Sequence, residues 1–108
     1  MLICVAGRYS ASSEAQRAAN PSAMNEAAVE VMRRGHRAMI GVNAALPILE
    51  AAGQGYAHPW MMEISLALAG RCDAGLRVGR SPGADREMDL LAALGRPVFD
   101  SLDAVPPA

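Results

Sequence analysis

The sequence has no lysine, few aromatic residues and no long apolar run, and each of these shortages excludes a class of function. Ten arginines stand against eleven acidic residues, which gives the 108-residue chain a net charge of −1. Such a balance provides no long-range attraction to a nucleic-acid polymer or to an anionic membrane surface. Aromatic residues make up 4% of the chain, which argues against a platform on which bases stack. No apolar stretch approaches the ~20 residues that a membrane-spanning helix needs.

Cysteine is also scarce, with one residue at Cys4 and one at Cys72. The first six residues form too short an apolar run for a secretory signal, so we expect reduced thiols and a cytoplasmic protein. His36 and His58 match no zinc spacing with the two cysteines, so we expect no metal site. The sequence also gives no reason to expect a cofactor.

Apolar runs and helical periodicities alternate along the chain, which predicts a single α/β domain spanning residues 1–108 with a parallel sheet. A frayed tail is expected from about residue 103. Strands are predicted at residues 2–6, 36–42, 74–78 and 97–99. Helices are predicted from Asn20-Pro21 to Gly35, over 59–70 and over 84–94. Pro47 and residues 53–55 predict an irregular connection.

Ligands of open parallel sheets bind beyond the carboxyl ends of the strands, where the loops 7–13, 41–47 and 79–83 should meet. After the third strand, Arg80, Ser81 and Gly83 lead into a helix that carries Glu87. Free amides at such a helix start bind anions. The alternative interpretation is that Ser81 forms a turn and that the acids complement the helix dipole.

Gly7, Arg8, Tyr9 and Ser10 follow the first strand, where glycine lets the backbone approach a ligand and the hydroxyls offer hydrogen bonds. This segment does not fit the dinucleotide-binding pattern G-x-G-x-x-G. It also fits an ordinary strand-to-helix turn. Asp73, at the entry to the third strand, is interpreted as a turn or cap residue at the opposite edge of the sheet.

Three segments together resemble the nucleoside 2-deoxyribosyltransferase superfamily: Gly7-Arg8-Tyr9-Ser10, Arg71-Cys72-Asp73-Ala74 and Ser81-x-Gly83-x-x-x-Glu87. The helix-to-strand exit at residues 93–99 is similar as well. The resemblance runs from about residue 2 to about residue 99 and is nearest to a short bacterial and phage branch of that family. It implies a flavodoxin-like, or Rossmann-like, three-layer sandwich with four or five parallel strands.

The resemblance also implies catalytic roles for particular residues. Glu87 matches the glutamate that attacks C1′ of a 2′-deoxyribosyl group, and Tyr9 matches a tyrosine near that nucleophile. Ser81 matches the serine of the deoxynucleotide N-hydrolases, which accommodates a 5′-phosphate. The family's leaving-group acid falls at Ser65, which is not an acid, and Glu63 is the candidate to replace it.

The predicted function is therefore cleavage or transfer of the N-glycosidic bond of a 2′-deoxynucleoside or its 5′-monophosphate. Glu87, Tyr9 and Glu63 are the expected catalytic residues. The substrate is expected to contact the residues of the two loops: Gly7, Arg8, Ser10, Arg80, Ser81 and Gly83. Two alternatives stay open, a nucleotide-binding module without turnover and a structural or assembly domain. The apolar surface of the second predicted helix suggests a homodimer or larger assembly.

Overall fold

A parallel sheet of four strands, covered by helices on both faces, forms the centre of the molecule. The structure, a computed structural model, describes residues 1–9 and 14–108, and the side chains of residues 14–20 lie outside this description. The strands are β1 (Leu2–Ala6), β2 (Arg37–Met39), β3 (Ala74–Arg77) and β4 (Val98–Phe99), in the spatial order β2-β1-β3-β4. The helices are α1 (Glu14–Arg33), α2 (Gly41–Ala51), α3 (Pro59–Ala69) and α4 (Pro82–Ala93). This is the predicted flavodoxin-like, three-layer α/β architecture, and it has four strands.

Strand β1 is central because its side chains are buried on both sides of the sheet. Ile3 and Val5 pack into a cluster with Met24 and Val31 of α1. Cys4 and Ala6 point to the other face, where residues of α3 and α4 cover them. A strand covered on both faces consists of consecutive apolar residues, and this explains why the short run after Met1 predicted β1 correctly.

The second face packs closely because β3 carries a glycine under α4. A Cβ at Gly75 would lie 2.6 Å from Met88 Sδ and 2.7 Å from Leu91 Cδ1. On this face Cys4 and Cys72 are both buried free thiols. A hydrogen bond with Cys72 and burial raise the pKa of the Cys4 thiol well above its ordinary value.

Two helices differ from the prediction. Helix α1 begins at Glu14 and contains Pro21, whereas the Asn-Pro pair predicted a start at residue 20. Residues 14–20 are mostly alanine and other good helix formers, so the helix extends upstream of the proline. Helix α2 occupies the segment predicted to be irregular and contains Pro47. Its buried Ala45 and Leu49 are four residues apart, so packing of that face outweighs the hydrogen bond that Pro47 cannot donate.

The C-terminal tail is packed, which corrects the expectation of a frayed end. A 3₁₀ turn at Leu102–Ala104 leads to Val105, which is 1% exposed within the cluster under α1. Arg34 donates hydrogen bonds to the carbonyl oxygens of Leu102 and Val105, at 2.6 and 2.9 Å. His36 Nε2 donates to the Pro106 carbonyl oxygen at 2.6 Å. The tail is thus held both by apolar burial and by polar groups at the end of α1.

Across the part of the chain that the structure describes, no helix combines the length and the apolar character needed to cross a bilayer.

The packed tail predicts a loss of stability when Val105 is shortened. Val105→Ala should lower the free energy of unfolding by about 1–3 kcal/mol, because it leaves a cavity in the core. Val29→Ala is the matched control, since Val29 is 47% exposed on α1, and it should change stability by less than about 0.5 kcal/mol. Urea unfolding of wild type and the two variants measures both changes in stability. Equal stability of wild type and Val105→Ala would show that the tail does not contribute to the core.

Candidate active site

A cavity of about 280 Å³ opens where the carboxyl ends of β1, β2 and β3 meet. The chain passes from β1 to one neighbour, β2, and then crosses back to the other, β3, so this edge is the switch point at which open α/β sheets bind ligands. The end of β1, the loops at this edge and residues of all four helices line the cavity. The lining residues are Val5, Ala6, Gly7, Tyr9, Met24, Ile40, Gly41, Val42, Tyr56, Met61, Met62, Ser65, Ser81, Pro82, Gly83, Ala84 and Glu87.

Glu87 is the one carboxylate among these lining residues, and it is 8% exposed. Within the described part of the chain its carboxylate has no hydrogen-bond or ion-pair partner. Burial raises the pKa of Glu87 from 4.5 to about 7. A buried carboxyl group that is left unpaired in a cleft costs stability, and such groups concentrate at functional sites.

The alternative interpretation of the acids as dipole complements fits Asp85 but not Glu87. Asp85 lies in the first turn of α4 and accepts a hydrogen bond from Arg77 at 3.0 Å. Glu87 lies in the second turn, on the buried side of the helix. The favourable effect of a helix dipole on its own residues fades beyond the first turn, so the dipole of α4 does not explain why an acid is buried there.

Gly41, Ser65 and Glu87 meet at one point beside the cavity. A Cβ at residue 41 would lie 2.7 Å from Ser65 Oγ, 2.8 Å from Ser65 Cβ and 2.9 Å from Glu87 Oε1. Only glycine fits between these two side chains without displacing them. Gly41 is also the first residue of α2, so the carboxylate of Glu87 lies next to the amino end of that helix.

Two helices therefore direct their amino ends at the cavity. Ser81 caps α4, where its Oγ accepts a hydrogen bond from the Ala84 amide at 3.1 Å. The Ser81 hydroxyl proton stays available to donate to a ligand. Ile40 precedes α2 and provides no side-chain cap for its first amides. Amides at helix starts carry partial positive charge, so this edge of the cavity suits an anionic group such as a phosphate.

Two tyrosines and two methionines form the apolar part of the lining. The rings of Tyr9 and Tyr56 meet edge to face, with their centroids 5.2 Å apart. Met61 and Met62 line the cavity from the first turn of α3. Aromatic rings and thioethers provide a polarisable surface for a flat ring.

The structure brings together Gly7, Tyr9, Ser81, Gly83 and Glu87 from the predicted site residues, because all five line the cavity. The other predicted site residues that it describes, Arg8, Glu63 and Arg80, are exposed and do not line the cavity. Ser10 lies outside the described residues.

Glu63 is therefore not placed to replace the leaving-group acid, which corrects the prediction. Residues two apart on a helix do not share a face, so Ser65 reaches the cavity while Glu63 faces solvent.

Arg80 extends outward, with its guanidinium 3.9 Å from the Asp85 carboxylate. Asp73 accepts a hydrogen bond from the Leu2 amide at 2.7 Å, at the amino end of β1. This agrees with its interpretation as a residue of the far edge.

Sequence reasoning missed Gly41 and Tyr56 as site residues. Gly41 lies just after the second strand, and a single glycine at that place could have indicated a close approach of the backbone to the site. Tyr56 lies in the connection between α2 and α3 and gave no signal, because its place in the cavity depends on tertiary packing.

Comparison with known proteins adds no relative: no family model matches the sequence, and no curated protein or solved structure matches it either.

The contact at Gly41 predicts that a methyl group there disturbs the site. Gly41→Ala should lower the free energy of unfolding by about 1–3 kcal/mol, because Ser65 Cβ is not free to move away. Gly55→Ala is the matched control, since a Cβ there meets nothing within 4 Å. Thermal unfolding measured by circular dichroism compares the two variants. Equal melting temperatures for both would contradict the close approach.

The pKa of Glu87 predicts an unusual dependence of stability on pH. Since the folded pKa is raised, the unfolded chain loses this proton first, and the free energy of unfolding falls as pH rises from about 4.5 to about 7. Glu87→Gln removes this loss. The free energy of unfolding of the variant, relative to that of wild type, should therefore be higher at pH 8 than at pH 4 by on the order of 3 kcal/mol. Urea unfolding at both pH values measures the difference. A constant difference would contradict the raised pKa.

Proposed function

We propose that this protein cleaves the N-glycosidic bond of a 2′-deoxynucleoside or its 5′-monophosphate by hydrolysis, with Glu87 as the nucleophile. The observation that carries the proposal is a buried carboxylate without a described partner that faces a ligand-sized cavity at the switch point of the sheet. The family resemblance of the Ser81 to Glu87 element suggests the reaction. The geometry supports it because the carboxylate and the anion-binding helix start lie on the same cavity.

In the proposed reaction the ionised Glu87 attacks C1′ as the bond to the base breaks, and the base keeps the electron pair of that bond and takes a proton from water. The transition state has oxocarbenium character, which a nearby carboxylate stabilises, and a glycosyl ester forms. Water then attacks C1′, which releases the sugar and restores the carboxylate. The start of α4, with the Ser81 hydroxyl, would hold a 5′-phosphate. The tyrosine pair and Met61 and Met62 would surround the base.

One observation favours a second candidate, a nucleotide-binding module without turnover. Ser65 occupies the buried position beside Glu87 where the resemblance calls for an acid. Without an acid, a neutral base leaves slowly, while binding is unaffected. A structural domain is the weaker alternative, because a structural role does not require a ligand-sized cavity beside the carboxylate.

We also propose a homo-oligomer in the cytoplasm. Trp60, at the first turn of α3, is 44% exposed, and Ile48 of α2 is 50% exposed. Large apolar side chains of this kind on neighbouring helices suit a two-fold interface. Met61 and Met62 do not belong to this surface, since they line the cavity.

Glu87→Gln tests the proposal, because glutamine keeps the shape of the side chain but cannot attack. Base release from the four common 2′-deoxynucleoside 5′-monophosphates and from the free nucleosides is followed by chromatography. We expect Glu87→Gln to lose on the order of 10³-fold or more of the wild-type rate. Glu63→Gln is the matched control and should keep the wild-type rate, since its exposed side chain lies outside the cavity.

The pH dependence separates the two possible roles of Glu87. A nucleophile must be ionised, so kcat should rise with pH through about 7. A general acid would give the opposite slope. Base release that survives in Glu87→Gln would contradict the proposal, and binding of nucleotide without base release by wild type would favour the second candidate.

A further inference from the structure

Among the described lining residues, Glu87 is the one carboxylic acid, and this bears on which base can leave. A neutral purine or pyrimidine departs as an anion unless it is protonated, and a positioned acid contributes about 10²–10⁴-fold to such a step. Among the described lining residues the ionisable side chains are Glu87 and two tyrosines. Glu87 cannot attack as an anion and donate a proton in the same step.

The remaining hydroxyl groups are poor replacements for that acid. Ser65 lies next to Glu87, but an alcohol is far too weak an acid to protonate a departing base. A phenol is likewise a much weaker acid than a carboxyl group. The described site is therefore built for attack on C1′ and poorly built for activation of a neutral leaving group.

The negative charge of Glu87 also bears on which base can occupy its side of the cavity. Glu87 is buried without a described counter-ion, while Arg8 and Arg80 are exposed outside the lining. The edge-to-face pair of Tyr9 and Tyr56 faces the same space. Tyrosine faces attract cations, and a desolvated carboxylate gains most from a positive partner.

We infer that the site takes a nucleotide whose base carries a fixed positive charge, such as an N-alkylated purine or a pyridinium, and so leaves as a neutral molecule without an acid. This inference rests on the proposed function and deepens it by naming the substrate class.

The chemistry balances without a further reactant. Glu87 Oε attacks C1′, the C1′–N bond breaks, and its electron pair stays with the glycosidic nitrogen and cancels the positive charge of the ring. The base departs as a neutral molecule and leaves a glycosyl ester. Water attacks C1′ of the ester, the C1′–O bond to Glu87 breaks, and one proton passes to solvent. A neutral base would need that proton earlier, at the moment of departure.

A matched pair of substrates tests the inference: 2′-deoxyguanosine 5′-monophosphate and its N7-methyl derivative, which differ by a methyl group and a positive charge. Because the methylated compound is intrinsically less stable, each enzymatic rate is divided by the rate in buffer alone. We expect wild type to accelerate cleavage of the N7-methyl compound at least about 10-fold more than that of its neutral counterpart, since no second carboxylic acid among the described lining residues assists the latter.

Ser65→Asp provides the complementary variant, because it places a carboxyl group beside Glu87, whose negative charge favours the protonated form of the new acid. This variant should raise the rate for the neutral substrate relative to the rate for the methylated one by at least about 10-fold, which is less than the 10²–10⁴-fold that a well-positioned acid contributes. Ser65→Asn is the control of equal size. If Ser65→Asp does not fold, the comparison of the two substrates with wild type still tests the inference.

A binding measurement tests the preference for charge without catalysis. 1-Methylnicotinamide is a cation and nicotinamide is its neutral counterpart. At pH 8, calorimetry should show the cation binding to wild type about 5-fold or more tightly, and Glu87→Gln should reduce the preference to the part that the tyrosine rings contribute. Equal affinity for both compounds would contradict the inference.

The two proposals fail in different ways. Equal acceleration of both guanosine nucleotides overturns the inference and leaves the proposed function standing. Absence of base release from both overturns the proposed function, and with it the assignment of a substrate class. Selective cleavage of the N7-methyl compound supports both.

Discussion

The burial of β1 on both faces determines the rest of the architecture. A parallel strand with apolar side chains on alternate sides requires a helix layer above and below it, and each crossover needs a helix to return the chain. Ile3 and Cys4 illustrate the two sides, since they belong to different apolar clusters. This arrangement gathers the carboxyl ends of three strands at one edge, where the cavity forms. The site therefore follows from the way the sheet is covered.

Glu87 lies in this cavity at a cost to the fold. Burial without a described partner raises the pKa of its carboxyl group to about 7, so part of the folding free energy is given up at neutral pH. Gly41 makes the arrangement possible by leaving room between Ser65 and the carboxylate. Desolvation of this kind is typical of functional sites. A cationic or oxocarbenium-like group in the cavity would provide the positive partner that the Glu87 carboxylate lacks among the described residues.

Local patterns predicted the sheet and the position of Glu87 at the cavity, but not the walls of the cavity. The apolar run of β1, the glycine after α1 and the segment from Ser81 to Glu87 are signals confined to a few neighbouring residues, and they led to the observed strands and to a lining position for Glu87. Helix α2 was missed because Pro47 suggested a break, although packing of the opposite helix face maintains the helix. Glu63 was misassigned because its distance in sequence from Ser65 is small while its direction on α3 differs. The packing of the C-terminal tail was not predicted, because Arg34 and His36, which bind the tail by hydrogen bonds, are distant from it in sequence.

The central claim is that Glu87 forms a covalent bond to the sugar, and mass spectrometry of the acid-quenched protein tests it most directly. After brief mixing with N7-methyl-2′-deoxyguanosine 5′-monophosphate, the protein is digested with trypsin, which cleaves after Arg86 and gives a peptide that starts at Glu87. We expect this peptide to carry one 2-deoxyribosyl 5-phosphate group on Glu87, and the adduct to be absent in Glu87→Gln. Rapid base release with the sugar on another residue, or with no adduct at any mixing time, would contradict the account.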